Sequence, residues 1–253
     1  MIYAVINQKG GVGKSTVSDV LLSGLTQKGF RTLAVDLDAQ GNLSFSAGAD
    51  TSCKKTSFEL LTEKCSVSDL IQHTEQGDII PSSRSLSGAD AFITNTGKEY
   101  RLKEALEQTK NFYDYIILDT PPALGILTVN ALTASDSVII PAQADVYSLQ
   151  GIAQLSETIE LVKKYCNPDL KISGILLTRY SARAVLNRNI SDMMQEQAKN
   201  LDTKLFKTSI REAVAVREAQ ISQKSIFDYA PKANITEDFQ NFINELLEVS
   251  EHE

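Results

Sequence analysis

Lys9-Gly10-Gly11-Val12-Gly13-Lys14-Ser15-Thr16 is the stretch that decides how this chain folds. Before it stands Ile2–Asn7, a short run rich in Ile and Val, which predicts a buried strand. After it, Ser15–Lys28 sets Val17, Val20, Leu21, Leu22 and Leu25 at helical spacing and stops at Gly29. A glycine-rich loop between a strand and a helix is a phosphate cradle. Its glycines let backbone N–H groups turn inward without Cβ clashes, and the helix N-terminus adds partial positive charge. Lys14 supplies a full charge, and the Ser15 hydroxyl suits Mg²⁺, a hard cation that takes oxygen ligands. The loop therefore predicts that Lys9, Gly10, Gly11, Val12, Gly13, Lys14, Ser15 and Thr16 bind ATP with Mg²⁺, and that the ATP is hydrolysed. The strict pattern G-x-x-x-x-G-K-[ST] is not met: Gln8 stands where its first glycine belongs, and a second lysine, Lys9, opens the loop.

Working outward, Thr32–Asp36, Tyr115–Asp119, Ser137–Pro141 and Lys171–Leu177 read as further strands. Helices are expected at Leu149–Lys164, Leu186–Lys199 and Ile235–Val249. Such alternation predicts an α/β fold, a mostly parallel twisted sheet with helices on both faces, which is the P-loop NTPase architecture. Ligands bind such sheets at the carboxyl ends of the strands. The informative acids lie there: Asp36 and Asp38 at the end of the second strand, and Asp119 before Thr120-Pro121-Pro122. A carboxylate at the tip of a buried strand is costly unless paired or beside a metal, so Ser15, Asp36 and Asp119 are the expected Mg²⁺ holders, direct or through water. Alternate residues of an extended chain point the same way, so Asp36 and Asp38 are expected to face one site. Ser46–Gly97 is the least regular region, read as short helices and one strand near Asp78–Pro81. With no linker in view, residues 1–253 are read as one domain.

Composition narrows the function. Of the 253 residues, 42% are hydrophobic and 23% charged, enough for a real core. The net charge of −7 argues against a dedicated nucleic-acid binder, leaving only a local basic patch. Cys53, Cys65 and Cys166 show no C-x-x-C spacing and are odd in number, which predicts reduced thiols and a cytoplasmic setting. The first residues read as a strand, so no signal peptide is expected, and no apolar run approaches the ~20 residues of a membrane span.

Three motifs taken together closely resemble the ParA/Soj group of deviant-Walker ATPases, which segregate plasmids and chromosomes: Asn7–Thr16, Asp36-Leu37-Asp38-Ala39-Gln40-Gly41-Asn42 and Asp119-Thr120-Pro121-Pro122. The likeness continues through Asn130–Asp136 and Pro141–Gly151, resumes weakly at Ile210–Tyr229, and is least across Ser46–Lys110. It implies catalytic roles for Lys9, Lys14 and Asp38. Lys9 resembles the signature lysine that reaches a partner's phosphates across an ATP-sandwich homodimer. Lys14 would bind phosphates in cis, and Asp38 would orient the attacking water. It also implies non-specific DNA as one partner of the ATP-bound dimer, and a ParB-type centromere-binding protein that stimulates hydrolysis as the other. Ala39 departs from the group, which usually has proline there. The start of the first strand at residue 2 resembles the short form without an N-terminal helix-turn-helix.

Lys171–Ile190 holds Lys171, Arg179, Arg183 and Arg188 and no acid, and further cations follow after it. Arg183, Arg188, Arg211 and Arg217 are the expected DNA contacts on electrostatic grounds. Rivals share the loop or the fold, among them a nitrogenase-reductase-like iron–sulfur protein, which would need interface cysteines where none lies between Cys65 and Cys166. A MinD-like ATPase would need a basic amphipathic C-terminal helix for anionic lipid, yet Glu245–Glu253 has four acids and no Lys or Arg, so no membrane partner is expected. An ATP-using biosynthetic enzyme would need a substrate constellation, and none is visible. Thr178 and Pro231, after late strands, are the positions weighed for the adenine.

Overall fold

The computed structural model describes residues 1–62, 65–181 and 185–251. Its strands are β1 (Ile2–Val5), β2 (Thr32–Asp36), β3 (Gln72–Thr74), β4 (Gly77–Ile80), β5 (Tyr115–Asp119), β6 (Ser137–Ala142) and β7 (Lys171–Leu177). They form one sheet in the order β3-β4-β2-β5-β1-β6-β7. Every pairing is parallel except β3 with β4, so the carboxyl ends of six strands share one edge. The helices are α1 (Lys14–Gln27), α2 (Asn42–Ser46), α3 (Ser57–Thr62), α4 (Ala89–Phe92), α5 (Arg101–Glu107), α6 (Ile126–Ala134), α7 (Val146–Tyr165), α8 (Val185–Asn200), α9 (Val214–Ile221), α10 (Ile226–Tyr229) and α11 (Asn234–Glu251).

Strand alternation splits the core between the two faces. Tyr3, Val5, Ala34, Ile79, Ile117 and Ile139 face α1 and α11, where Leu21, Leu25, Phe239 and Phe242 meet them. Their neighbours Ile2, Ala4, Leu33, Val35, Ile80, Ile116 and Leu118 face the other way, against Leu102, Leu106 and Leu127. Ile140, Ile175 and Leu177 extend that side under Ile152, Leu155 and Met194. Because both faces are covered, the strands read as continuous apolar runs rather than alternating ones.

β2, β5 and β7 match the sequence reading, and β6 runs one residue further. β1 is shorter than Ile2–Asn7. Ile6 still donates its N–H to Ile139 O at 3.0 Å, and beyond it Asn7 turns its side chain to Pro141 O at 2.7 Å. The strand expected near Asp78–Pro81 is β4. Beside it, β3 was not foreseen: Gln72-His73-Thr74 is a polar, largely uncovered edge triplet with no apolar alternation to reveal it. α7 starts three residues before Leu149 because Asp145 caps it, accepting the Ser148 N–H at 2.8 Å. α6 is buried on nearly every side and so carries no amphipathic period.

Candidate active site

The loop Lys9–Thr16 leaves the end of β1 and enters α1 through Gly13, whose φ of 92° is a left-handed conformation that favours glycine. No side chain caps α1 and no acid occupies its first turn, so its leading N–H groups and positive end remain available for an anion. Lys14 is 7% exposed. Burial lowers its pKa, while the charges of Asp119 and Asp38 oppose that shift. Neighbouring strands brace the loop from outside the motif. Thr178 donates its hydroxyl to Val12 O at 2.8 Å, and Gln143 donates its amide to Gly11 O at 3.3 Å.

Lys9 is half-buried at the far side of the loop. Its ammonium donates to the Asp145 carboxylate and, at 3.1 Å, to Gln143 Oε1. Burial raises the Asp145 pKa, but the Lys9 hydrogen bond and the Ser148 N–H outweigh it, and the net direction is down. The signature-position lysine is thus held by its own chain, on a residue that also caps α7.

The carboxylates gather at the tips of β2 and β5, where Asp36 and Asp119 are paired across the ladder. Both are fully buried. Asp36 accepts the Ser44 N–H at 2.9 Å, the Ser44 hydroxyl at 2.7 Å and the Asp38 N–H at 3.1 Å. Burial still raises its pKa to about 6. Asp119 accepts the Ser18 hydroxyl, at 2.9 Å, on Oδ1, and its Oδ2 is buried with no hydrogen-bond partner among the described residues. Burial first, then the neighbouring Asp36 charge, push Asp119 up to about 8, against the hydroxyls of Ser15 and Ser18 and the charge of Lys14. Two buried carboxylates side by side, one with a free oxygen, are the arrangement a divalent cation relieves. The donor set of Ser15, Asp36 and Asp119 is all oxygen and therefore fits Mg²⁺.

Asp38 lines a cleft with Gly10, Gly11, Lys14, Ser15 and Thr16. Its carboxylate accepts the Gln40 N–H at 3.0 Å, and its backbone carbonyl is held by the Ser82 hydroxyl. All the expected phosphate-loop and acidic residues thus meet at one end of the sheet. Of the expected DNA contacts, Arg183 and the side chain of Arg188 lie outside the described residues. Arg211 donates twice to Asp238, at 2.6 and 2.7 Å, and lines the cavity beside the loop. Arg217 lines both that cavity and the cleft. Thr178 also lines the cavity, and Pro231 lines neither space. The residues that sequence reasoning missed are single hydroxyls and one acid: Ser18, Ser44, Ser82 and the Asp145 partner of Lys9. The serines carry no spacing signal.

A family profile described as an AAA domain matches residues 1–172. The sporulation initiation inhibitor protein Soj of Bacillus subtilis is 42% identical over 249 residues, 97% of each chain. The chromosome partitioning protein ParA of Myxococcus xanthus is 40% identical over 226 residues, covering 88% of this chain and 77% of that protein. Among solved structures, the cobyrinic acid a,c-diamide synthase of Mycobacterium smegmatis with bound ADP and magnesium matches with a TM-score of 0.83 at 33% identity, over 97% of this chain and 93% of that one. Near full-length identity of this order, on a fold that assembles the two-lysine loop and the strand-end carboxylates, shows that the chain belongs to the AAA-domain family and, within it, to the ParA/Soj group of P-loop ATPases.

Proposed function

We propose that the chain is a single-domain partition ATPase that dimerises on ATP, binds DNA without sequence preference, and is reset by partner-stimulated hydrolysis. The observation that carries this is the buried, unpartnered Asp119 Oδ2 beside the Asp36 carboxylate, at the foot of a loop whose helix start is uncapped. Ser15 would hold Mg²⁺ directly, and Asp36 and Asp119 would hold its water shell. Bound there, Mg²⁺ would supply the positive charge that offsets the phosphate oxygens during transfer. Lys14 neutralises phosphate charge in cis. Asp38, with its backbone carbonyl held by the Ser82 hydroxyl and its carboxylate by the Gln40 N–H, holds the attacking water in line. Phosphoryl transfer is mostly positioning and charge stabilisation, so these few groups suffice. Lys9 acts in trans, leaving Asp145 to reach the phosphates of a second copy, which makes turnover depend on dimerisation.

Identity to proteins named Soj and ParA supports chromosome or plasmid partition as the task, with a ParB-type protein as the stimulating partner and a cytoplasmic, nucleoid-associated location. The test is retention on non-specific DNA with ATP, with ADP and without nucleotide, across several salt concentrations. Retention only with ATP, falling steeply with salt, is expected. ATP binding without DNA retention under any condition would overturn the partition reading and favour a biosynthetic enzyme, the activity named for the M. smegmatis relative. Lys14→Ala is expected to abolish nucleotide binding. Asp38→Ala is expected to keep binding and lose turnover, and equal hydrolysis by that variant and the parent would remove Asp38 from its role.

A further inference from the structure

The two spaces beside the phosphate loop meet at a short waist. The first sets Val12, Val17, Ile210, Val216 and Phe239 along one wall, with Thr178, Arg211 and Glu212 beside them. The second holds Lys14, Ser15 and Asp38. Among the described residues, five line both: Gly13, Thr16, Arg179, Arg217 and Gln220. A nucleotide with its base against the apolar wall of the first space and its terminal phosphates beside Lys14 in the second passes its ribose and α-phosphate through that waist. Two of the five residues are arginines, although the chain as a whole is acidic.

We propose that Arg179 and Arg217 form a guanidinium clamp, in cis, on the α-phosphate of a bound adenine nucleotide. This rests on the nucleotide site proposed above and adds to it a contact outside the loop motif. The backbone that carries each arginine is held in place by its neighbours. Arg179 has a φ of 49°, unusual for a bulky residue. The backbone on either side is pinned, Thr178 N–H to Ala142 O at 2.8 Å and Tyr180 N–H to Ile210 O at 3.0 Å. These bonds fix the direction in which Arg179 leaves β7. Arg217 sits on α9, which is tied to the start of α1 by Gln220 Nε2 donating to Thr16 Oγ1 at 3.3 Å. That bond places Arg217, one turn earlier, over the loop's exit.

The charges around the waist are unbalanced. Arg179 has Glu212 at 4.0 Å, a loose pair on the surface, and Arg217 has no ion pair among the described residues. Two guanidiniums and Lys14 therefore face one cleft, where a phosphate would accept bidentate hydrogen bonds. Arg217 accordingly serves the nucleotide rather than the outer DNA face.

The test measures Mg-dependent binding of ATP, ADP, AMP and adenosine by competition against a fluorescent ATP analogue. It compares the parent with Arg217→Ala, Arg179→Ala and Arg217→Lys. The alanine variants are expected to weaken ATP, ADP and AMP by about the same factor, on the order of tenfold each, and to leave adenosine unchanged. Arg217→Lys should recover part of the loss. Nucleotide-free melting temperatures equal to the parent's would show that the fold is intact. Unchanged nucleotide affinity in both alanine variants would overturn the clamp. So would a loss confined to ATP, which would place the contact at the γ-phosphate, or a loss of DNA retention alone, which would return Arg217 to DNA. Failure of the parent itself to bind ATP would instead sink the proposed function.

Discussion

Releasing Lys9 from its own chain is the most direct way to perturb the proposed cycle. The Lys9 and Asp145 side chains are 27% and 34% exposed, so their pair is partly shielded and worth about 1 kcal/mol. If Lys9 must leave Asp145 before it reaches a partner's phosphates, a dimer breaks two such pairs, at a cost of about 2 kcal/mol. Asp145→Asn removes the charge and keeps a side chain that caps α7 nearly as well as Asp. The variant should therefore dimerise more tightly with a non-hydrolysable ATP analogue, by up to about 30-fold. Gln143 Oε1, at 3.1 Å from the ammonium, and the new amide oxygen retain some hold, so a gain of several-fold is the lower expectation. Sedimentation velocity across protein concentrations reads the dimer dissociation constant. Asp145→Ala is the companion variant: it also loses the cap, about 1 kcal/mol, and should melt roughly 2–4 °C lower. A dimer constant for Asp145→Asn that is unchanged or weaker, with melting held, would refute the idea that Asp145 restrains Lys9 in the monomer.

Three further outcomes follow from the packing. Thr178→Val strips the hydroxyl from Val12 O and leaves a buried carbonyl unpaired, which should cost about 1–2 kcal/mol in thermal unfolding and weaken ATP binding several-fold; ATP affinity equal to the parent's would remove Thr178 as a brace of the loop. Asp19 is buried on α1, with Oδ1 unpartnered among the described residues, and burial raises its pKa to about 7 despite the Ser46 hydrogen bond. A raised acid favours the folded state at low pH and loses that contribution as pH climbs from about 4 to about 7. Asp19→Asn should therefore stabilise the protein at pH 8 by up to about 4 kcal/mol and far less at pH 5; equal melting shifts at the two pH values would contradict the assignment. Gly77→Ala should destabilise by about 3 kcal/mol. Its φ is 136°, and a Cβ there would lie 2.6 Å from Leu22 Cδ1 and 2.8 Å from Thr26 Oγ1; an unchanged denaturation midpoint would show that β4 can move away from α1.

The sheet was legible because its inner strands are buried on both faces and so appear as unbroken apolar runs. Tyr115–Asp119 and Thr32–Asp36 fall at their sequence-read limits for that reason. β3 escaped because an edge strand owes its place to hydrogen bonding with β4, not to its side chains. The loop and its acids were legible for a different reason: phosphate and Mg²⁺ demand particular residue types at fixed spacing. The Arg211 and Arg217 assignments rested on charge alone, which says nothing of direction, and the fold turns both toward the cavity by the loop, Arg211 against Asp238.

What the motifs leave out is the set of contacts that joins one strand end to the next. Asn7 reaches Pro141 and Thr178 reaches Val12, tying the β1 loop to the ends of β6 and β7. Ser18 of α1 holds Asp119 of β5. Ser44 of α2 holds Asp36, and its hydroxyl also accepts the Ser82 N–H, while the Ser82 hydroxyl holds the carbonyl of Asp38. Apart from the Ser44–Asp36 bond, which spans eight residues, each joins elements far apart in sequence and so has no local pattern. Together with the pairing of Asp36 and Asp119 across β2 and β5, they connect α1, α2 and both acidic strand tips through buried bonds. The least regular part of the sequence, Ser46–Gly97, is therefore in physical contact with Asp38 through Ser82. That makes Ser82→Ala a probe of coupling rather than of fold: it should alter how strongly hydrolysis responds to the proposed stimulating partner more than it alters the affinity for ATP, and the reverse pattern would show that the link serves nucleotide binding alone.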